Sequence, residues 1–529
     1  MSLTKTVTPQ NNKKFFLILF FIFFTVYVFS SDGHRATNDE EYAQQQTFRL
    51  VVLEPDPDFI LGESGTLFKY PQFWYPYGQG TPCSNALLCY GANVAHSVTE
   101  YPFVFLNYHL QIFSEDTLKF SFDDFHDNHY VFWRNSIDPT FTFMELFFGP
   151  FYSALSISIF FLICRNFNYS VKTSLILSFV LALSTSLYAY SATSFNQISA
   201  LTFLLLGFYL FRLSQKSYSI FYSFLSGASL VFGFMIREDL ILFIIPLFFY
   251  QIIFSLYKNK KIVQTISFIF PLLGGYGLYR FFDVLRYGVS QNEKIATDFS
   301  VIASMGTSNH TSFVYATNIL GLLFAPGIGL FIYVPILLTV FFSFIDFFKS
   351  HKSLTLLLLS FPILVLIHYG SFNFWHGLTA WSPKYLYFLI PFLLLPLGTS
   401  IENNRKKILP IILSLSIIGF VINLFSIIQD VNWFVWGSPG GQTGLFGLAY
   451  GESHPLYIND IIIWTFQFSP LIVSIQSSFT NLQPDIFLLK FFDFIPFFSI
   501  LFILLGIELL ILKKLISSNS YEEKYNLNY

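Results

Sequence analysis

Apolar stretches recur along this chain, each close to the thickness of a bilayer. A crossing helix needs roughly 20 such residues, and about twelve runs approach that length. They cover residues 15–30, 148–164, 173–191, 198–211, 219–236, 240–257, 262–281, 319–345, 353–369, 384–400, 408–428 and 492–512. In hydrocarbon every backbone N–H and C=O must be satisfied within the protein, so only helices and closed barrels cross. Runs of this length suit helices, and the expected fold is an all-α polytopic membrane protein of about twelve spans. Lys13 and Lys14 precede the first run and no small-residue cleavage site follows it. It therefore reads as an uncleaved anchor.

Composition agrees. Charged residues make up 11% of the chain and hydrophobic residues 54%, with 71 Phe. A soluble domain carries about 25% charge, so this chain cannot cover a water-facing surface of its size. Disorder, collagen, coiled coil and a small disulfide scaffold are excluded. Lys+Arg (29) nearly balances Asp+Glu (31), with no basic block, which argues against nucleic-acid binding. Cys164 lies in an apolar run. Cys83 and Cys89 share a polar stretch and could pair if it faces an oxidising compartment.

The basic residues orient the spans. Lys5, Lys13 and Lys14 precede the first run; Arg165 and Lys172 follow the second; Arg212 and Lys216 the fourth. Lys258, Lys260 and Lys261 follow the sixth, Lys349 and Lys352 the eighth, Arg405, Lys406 and Lys407 the tenth, and Lys513 and Lys514 the last. Short cytoplasmic loops are enriched in Lys and Arg, so both termini are expected to be cytoplasmic. The substantial outer segments are then 31–147, 282–318, 370–383 and 429–491. Residues 456–476 would upset this alternation if they crossed, and read as an interfacial or re-entrant segment. No fixed-period or inverted repeat is found.

Four constellations on the outer side could carry chemistry. Asp39, Glu40 and Glu41 follow the first run and open an amphipathic stretch. A carboxylate at the membrane edge can deprotonate a hydroxyl or hold a divalent cation; equally, it can complement a helix N-terminus. Asp123, Asp124, His126, Asp127 and His129 crowd together without a specific metal-ligand spacing, so a solvated loop is the simpler reading. Arg237, Glu238 and Asp239 form the turn between the fifth and sixth runs. There Arg237 either pairs with a neighbouring carboxylate or meets an anionic phosphate. His368, Trp375, His376, Trp381 and Lys384 surround the outer mouth of the ninth and tenth runs. Interfacial Trp is ordinary there, and Lys384 either snorkels or holds a phosphate.

These segments, in this order, resemble the membrane glycosyltransferases of the GT-C superfamily, in the branch of protein O-mannosyltransferases and bacterial lipid A aminoarabinose transferases. Asn38-Asp39-Glu40-Glu41-Tyr42 looks like that family's acidic motif after the first span. SATSFNQISALTFLLLGFYLFRL (191–213) is similar to its third-to-fourth span hairpin, and MIREDLILFIIP to the next hairpin. RYGVSQNEK (286–294) followed by GLLFAPGIGLFIYVPILL (321–338), and WHGLTAWSPKYLYFLIPFLLLPL, resemble further stretches of bacterial members. The likeness covers roughly residues 15–400.

The resemblance implies a GT-C-like fold with a long first extracytoplasmic loop, in an inner (plasma) membrane of bacterial type. Residues 1–147 would hold the first span and the acidic loop, 148–400 the transmembrane core, and 401–529 the C-terminal helices. The implied activity is inverting transfer of a sugar from a polyprenyl-phosphate donor to a lipid, glycan or protein acceptor of the cell envelope. Asp39 would be the base, with Glu40 the alternate. Arg237, Lys384, Trp375 and His376 would bind substrate. No cofactor is called for with certainty; a divalent cation is compatible with the residues but not required. The rival is a multi-span transporter or lipid-linked flippase, which calls for ionisable residues deep within spans. Away from the extreme ends of the assigned runs Glu508 is nearly the only one, and it lies near the end of the last run.

Overall fold

The first and last long helices of this computed structural model pack together, so the two ends of the chain close one bundle. The structure describes residues 9–33, 38–53, 93–113, 139–254, 262–287, 312–372, 375–377, 381–428, 463–480, 484 and 486–525. Cys83, Cys89 and residues 121–135 lie outside them. The described residues contain helices and no strand. In chain order they form α1 (Pro9–Ser30), α2 (Asn38–Val52), α3 (Val94–Leu110), α4 (Pro139–Asn166), α5 (Val171–Leu183) and α6 (Ser186–Tyr190). Then come α7 (Asn196–Ser217), α8 (Ile220–Ile236), α9 (Ile241–Phe254), α10 (Ile262–Tyr287), α11 (Ser312–Phe324) and α12 (Leu330–Tyr333). The rest are α13 (Val340–Ser350), α14 (Lys352–Gly370), α15 (Ile390–Leu394), α16 (Leu397–Ile428), α17 (Pro470–Thr480), α18 (Phe487–Phe492) and α19 (Phe494–Tyr525). Among the described residues, 7 helices are long and apolar enough to cross a membrane, beside several shorter apolar ones. The chain is an all-α, multi-span membrane protein.

Helix α4 is the hub, packed on α1, α5 and α7, while α8 joins α7 to α10. Small residues let these helices approach, as expected where lipid offers no hydrophobic contrast. Ser156 and Thr202 share a hydrogen bond of 2.7 Å between α4 and α7. Ser226 of α8 donates to the Gly207 carbonyl at 2.8 Å, and a Cβ on Gly207 would fall 2.6 Å from Leu230.

One end of the bundle collects basic residues from the predicted cytoplasmic segments. Arg165 donates to Asn12 Oδ1 at 3.2 Å, Arg212 stacks over Phe167, and Lys216 Nζ reaches the Asn166 carbonyl. Glu402 accepts from the Ser170 amide at 2.7 Å, and Asp346 from Ser400 at 3.1 Å. Short segments far apart in sequence thus meet at a single end.

The eighth run, expected as one long span, is not one continuous helix. It divides into α11, α12, a 3-10 turn (Pro335–Thr339) and α13. Pro326 and Pro335 lack an N–H. Gly329 closes a turn too tight for a side chain, its Cβ position lying 2.6 Å from the Phe324 carbonyl carbon. The interrupted backbone is satisfied by protein, the condition for irregular structure at membrane depth. Gly327 N–H donates to the Ile463 carbonyl at 2.9 Å, and Tyr333 Oη to the Gly327 carbonyl at 2.8 Å. Buried Asn423 of α16 donates to the Tyr333 carbonyl at 3.0 Å and accepts from Trp381 Nε1 at 3.2 Å. In the 456–476 stretch the described part opens with a short turn and continues as α17, which packs on α16 and has only 11 residues.

Candidate functional site

At the other end, the segment after α1 folds back on the bundle. Helix α2 packs on α3, and α3 on α4 and α8. Asn93, ahead of α3, donates to the Ile236 carbonyl at 3.0 Å, tying the segment to the residue before Arg237. Two buried carboxylates hold α2. Glu145 Oε1, on α4, accepts from Gln44 Nε2. Glu100 Oε2, on α3, accepts from Thr47 at 2.6 Å, while its other oxygen lies 3.2 Å from His96 Nε2. Asp39 and Glu40 belong to the first turns of α2; their side chains lie outside the described residues. Helical spacing sets Asp39 one turn before Ala43 and Glu40 one turn before Gln44, and both Ala43 and Gln44 are buried.

The loop from Ser191 to Asn196, leading into α7, is the meeting point. It lies directly on α4 because position 149 is Gly: a Cβ there would stand 2.3 Å from the Thr193 carbonyl oxygen and 2.5 Å from that of Ser191. Three consecutive residues then face three partners. Ser194 Oγ donates to Glu145 Oε1 at 2.8 Å. The Phe195 ring lies beneath Lys384 Nζ, 4.3 Å from the centroid, a cation–π contact. Asn196 Oδ1 accepts from Arg237 Nη1 at 3.1 Å.

Arg237 ends α8 in an extended conformation and carries its guanidinium back into the bundle, with the side chain 15% exposed. Its Nε donates to Asp239 Oδ2 at 2.8 Å, and Tyr369 Oη donates to the same oxygen. Burial by itself would lower the Arg237 pKa. The charge of Asp239, and the bonds to Asp239 and Tyr369, outweigh it and raise the pKa above the usual value. Glu238 instead accepts from Tyr279 Oη on α10. The Tyr369 ring stacks on Tyr385 at 4.2 Å, which places the residue after Lys384 against the Arg237 partner. Arg237 and Lys384, 147 positions apart in the numbering, therefore approach one loop from two sides.

Trp375 and His376 are placed in a packed layer beside α11. A Cβ on Gly321 would fall 2.2 Å from the Trp375 ring, and Trp464 is Trp375's aromatic neighbour at 6.1 Å. His376 is buried, which pushes its pKa down to about 4. Among the described residues no three His, Cys, Asp or Glu side chains gather as a metal-ligand set.

Glu145, Gln44, Ser194 and Asn196 escaped the sequence reading. A signal for Glu145 existed: a carboxylate at the edge of an apolar run is a pointer to function. Starting the second span at residue 148 hid it, whereas α4 begins at Pro139.

No protein-family model matches the chain, and no curated protein matches it. Among solved structures it aligns with ArnT from Cupriavidus metallidurans bound to undecaprenyl phosphate. The identity is 10% and the TM-score 0.46, over 95% of this chain and 78% of that one.

Proposed function

We propose that the chain is a membrane glycosyltransferase, moving a sugar from a polyprenyl-phosphate donor to a lipid, glycan or protein acceptor on the extracytoplasmic side. One observation carries this reading. The Ser194–Asn196 loop touches the junction that holds α2 and both candidate phosphate-binding cations. A helix bearing a run of carboxylates and two cations converge at one end of the bundle, opposite the end where basic residues collect. That arrangement suits a donor whose lipid tail stays in the membrane and whose phosphate lies at its edge.

The chemistry is an inverting displacement. The acceptor hydroxyl oxygen attacks the anomeric carbon, its proton passes to a carboxylate, and the bond from that carbon to the phosphate oxygen breaks. Polyprenyl phosphate leaves with the bonding pair. Asp39 is assigned as the base, with Glu40 the alternate. Lys384 is a point charge for the leaving phosphate. Arg237 commits Nε and Nη1 to Asp239 and Asn196, and is assigned to the leaving phosphate as a buried positive charge. Trp375 and His376 are assigned to substrate binding in the same reading. Both termini are cytoplasmic in this reading.

The test is transfer from a polyprenyl-phosphate sugar in proteoliposomes. Asp39→Asn is expected to lower transfer by roughly 10²-fold, the scale of general-base catalysis. Arg237→Ala and Lys384→Ala are expected to weaken donor use. Full activity in Asp39→Asn with loss in Glu40→Gln moves the base by one residue. Movement of a substrate across sealed liposomes, with no glycosidic bond formed from any donor, establishes the transporter instead.

A further inference from the structure

We propose that Glu145 is a positioning residue that sets where the acid-bearing helix α2 stands relative to Arg237 and Lys384. The inference deepens the reading above and rests on it.

Three segments distant in sequence meet at this carboxylate. Glu145 is 1% exposed. Its Oε1 accepts from the Gln44 amide of α2 and from the Ser194 hydroxyl, and Gln44 Nε2 also reaches Ser194 Oγ at 3.1 Å. Two donors on one oxygen demand an acceptor, and a carboxylate supplies it without a competing N–H. Burying a charge here is costly, and an apolar side chain of similar size would fill the volume at lower cost. What the carboxylate adds is a defined geometry. One side of the junction is Gln44, one turn after Glu40 in the helix. The other is Ser194, followed at once by the residue under Lys384 and the residue bonded to Arg237.

A second pin fixes rotation. Thr47, three positions after Gln44 and on the same face of α2, bonds Glu100 of α3. Held at both points, α2 is restrained from turning or sliding, and the backbone of its first turn is set relative to the cations. Displacements of about 1 Å in a reacting array cost up to roughly 10²-fold in rate.

The decisive experiment exchanges acid and amide across the junction. Gln44→Glu alone sets two carboxylates against each other, whereas Gln44→Glu with Glu145→Gln restores a donor facing an acceptor. In the transfer assay, Gln44→Glu and Glu145→Ala are expected to lower kcat by roughly 10- to 100-fold, with the donor KM within about threefold of wild type. The exchanged pair is expected to recover most of that loss. A pair no faster than Gln44→Glu alone overturns the proposal. So does a raised KM at unchanged kcat, which would make Glu145 part of donor binding. Hydrogen–deuterium exchange of residues 38–52 in detergent is independent of any donor. Exchange should quicken in Gln44→Glu and return to wild type in the exchanged pair; unaltered exchange refutes the junction. If wild type transfers no sugar, the glycosyltransferase reading fails, and the exchange measurement still decides the role of Glu145.

Discussion

Helices α4 and α19 are both long and strongly apolar, yet the bundle treats them oppositely. About 72% of α4's apolar stretch is buried, against 11% for α19. Apolarity therefore says that a helix enters the membrane and does not say what it faces there. Small and polar residues make that distinction. Helix α4 buries Ser153, Ser156 and Ser158 and places Gly149 under a loop, whereas α19 turns Phe502, Ile503 and Leu510 outward. Ala, Gly, Ser and Thr let backbones approach and bond across helices; lipid rewards neither property.

The comparison can be broken most severely at Gly149. Gly149→Leu would drive a side chain into the Ser191 and Thr193 carbonyls and lift the site loop. The expected outcome is loss of monodisperse protein in size-exclusion chromatography, or a collapse in melting temperature. Gly506→Ala in α19, where no described residue lies within 4 Å of an added Cβ, should keep the protein monodisperse with little change in melting temperature.

Next in size is Asn423→Ala, which strands the Tyr333 carbonyl and Trp381 Nε1. Unsatisfied buried groups cost about 1–3 kcal/mol each, so a loss of several kcal/mol is expected in denaturant titration of the micellar protein. Leu510→Ala on the lipid-facing helix should cost far less.

A smaller effect separates the buried layer from the surface by pH. His376 has its folded pKa depressed to about 4 by burial, against about 6.5 when unfolded. Its contribution is present above pH 6.5 and is lost as pH falls through 4, because only the unfolded chain binds the proton in that window. Going from pH 7 to pH 5 should cost about 2 kcal/mol, read as a lower melting temperature. His376→Gln should flatten that slope. An unchanged slope in the variant assigns the acid sensitivity to other groups.

The smallest expected effect is at Gly274 of α10, whose apolar stretch is also 11% buried and where no described residue lies within 4 Å of an added Cβ. Gly274→Ala should shift stability by no more than about 1 kcal/mol, the helix-propensity gain. A large loss there would mean that this face of α10 meets protein rather than lipid.

Much of the fold is legible in the sequence. Hydropathy is a local sum, so membrane entry could be read run by run, and the alternation of basic residues anticipated that Arg165, Lys216 and their companions would share one end. The interruption of the eighth run does not show in a hydropathy averaged over 319–345, although Pro326, Gly327, Gly329 and Pro335 carry its signal. Arg237 had two carboxylate neighbours in sequence, and nothing local chose between them. The fold chose Asp239 by setting Tyr369 beside it and Tyr279 beside Glu238.

What the sequence determined by itself was therefore one-dimensional: which stretches leave water, which end of each is basic, and which residue types could do chemistry at the edge. What only the tertiary structure decided was adjacency. Glu145, Gln44 and Ser194 are unremarked polar residues until packing brings α2, α4 and the Ser191–Asn196 loop together, and Lys384 is a snorkelling candidate until Phe195 lies beneath it. Such contacts join positions scores of residues apart, and their energy depends on desolvation and hydrogen-bond geometry that exist only after the helices have packed.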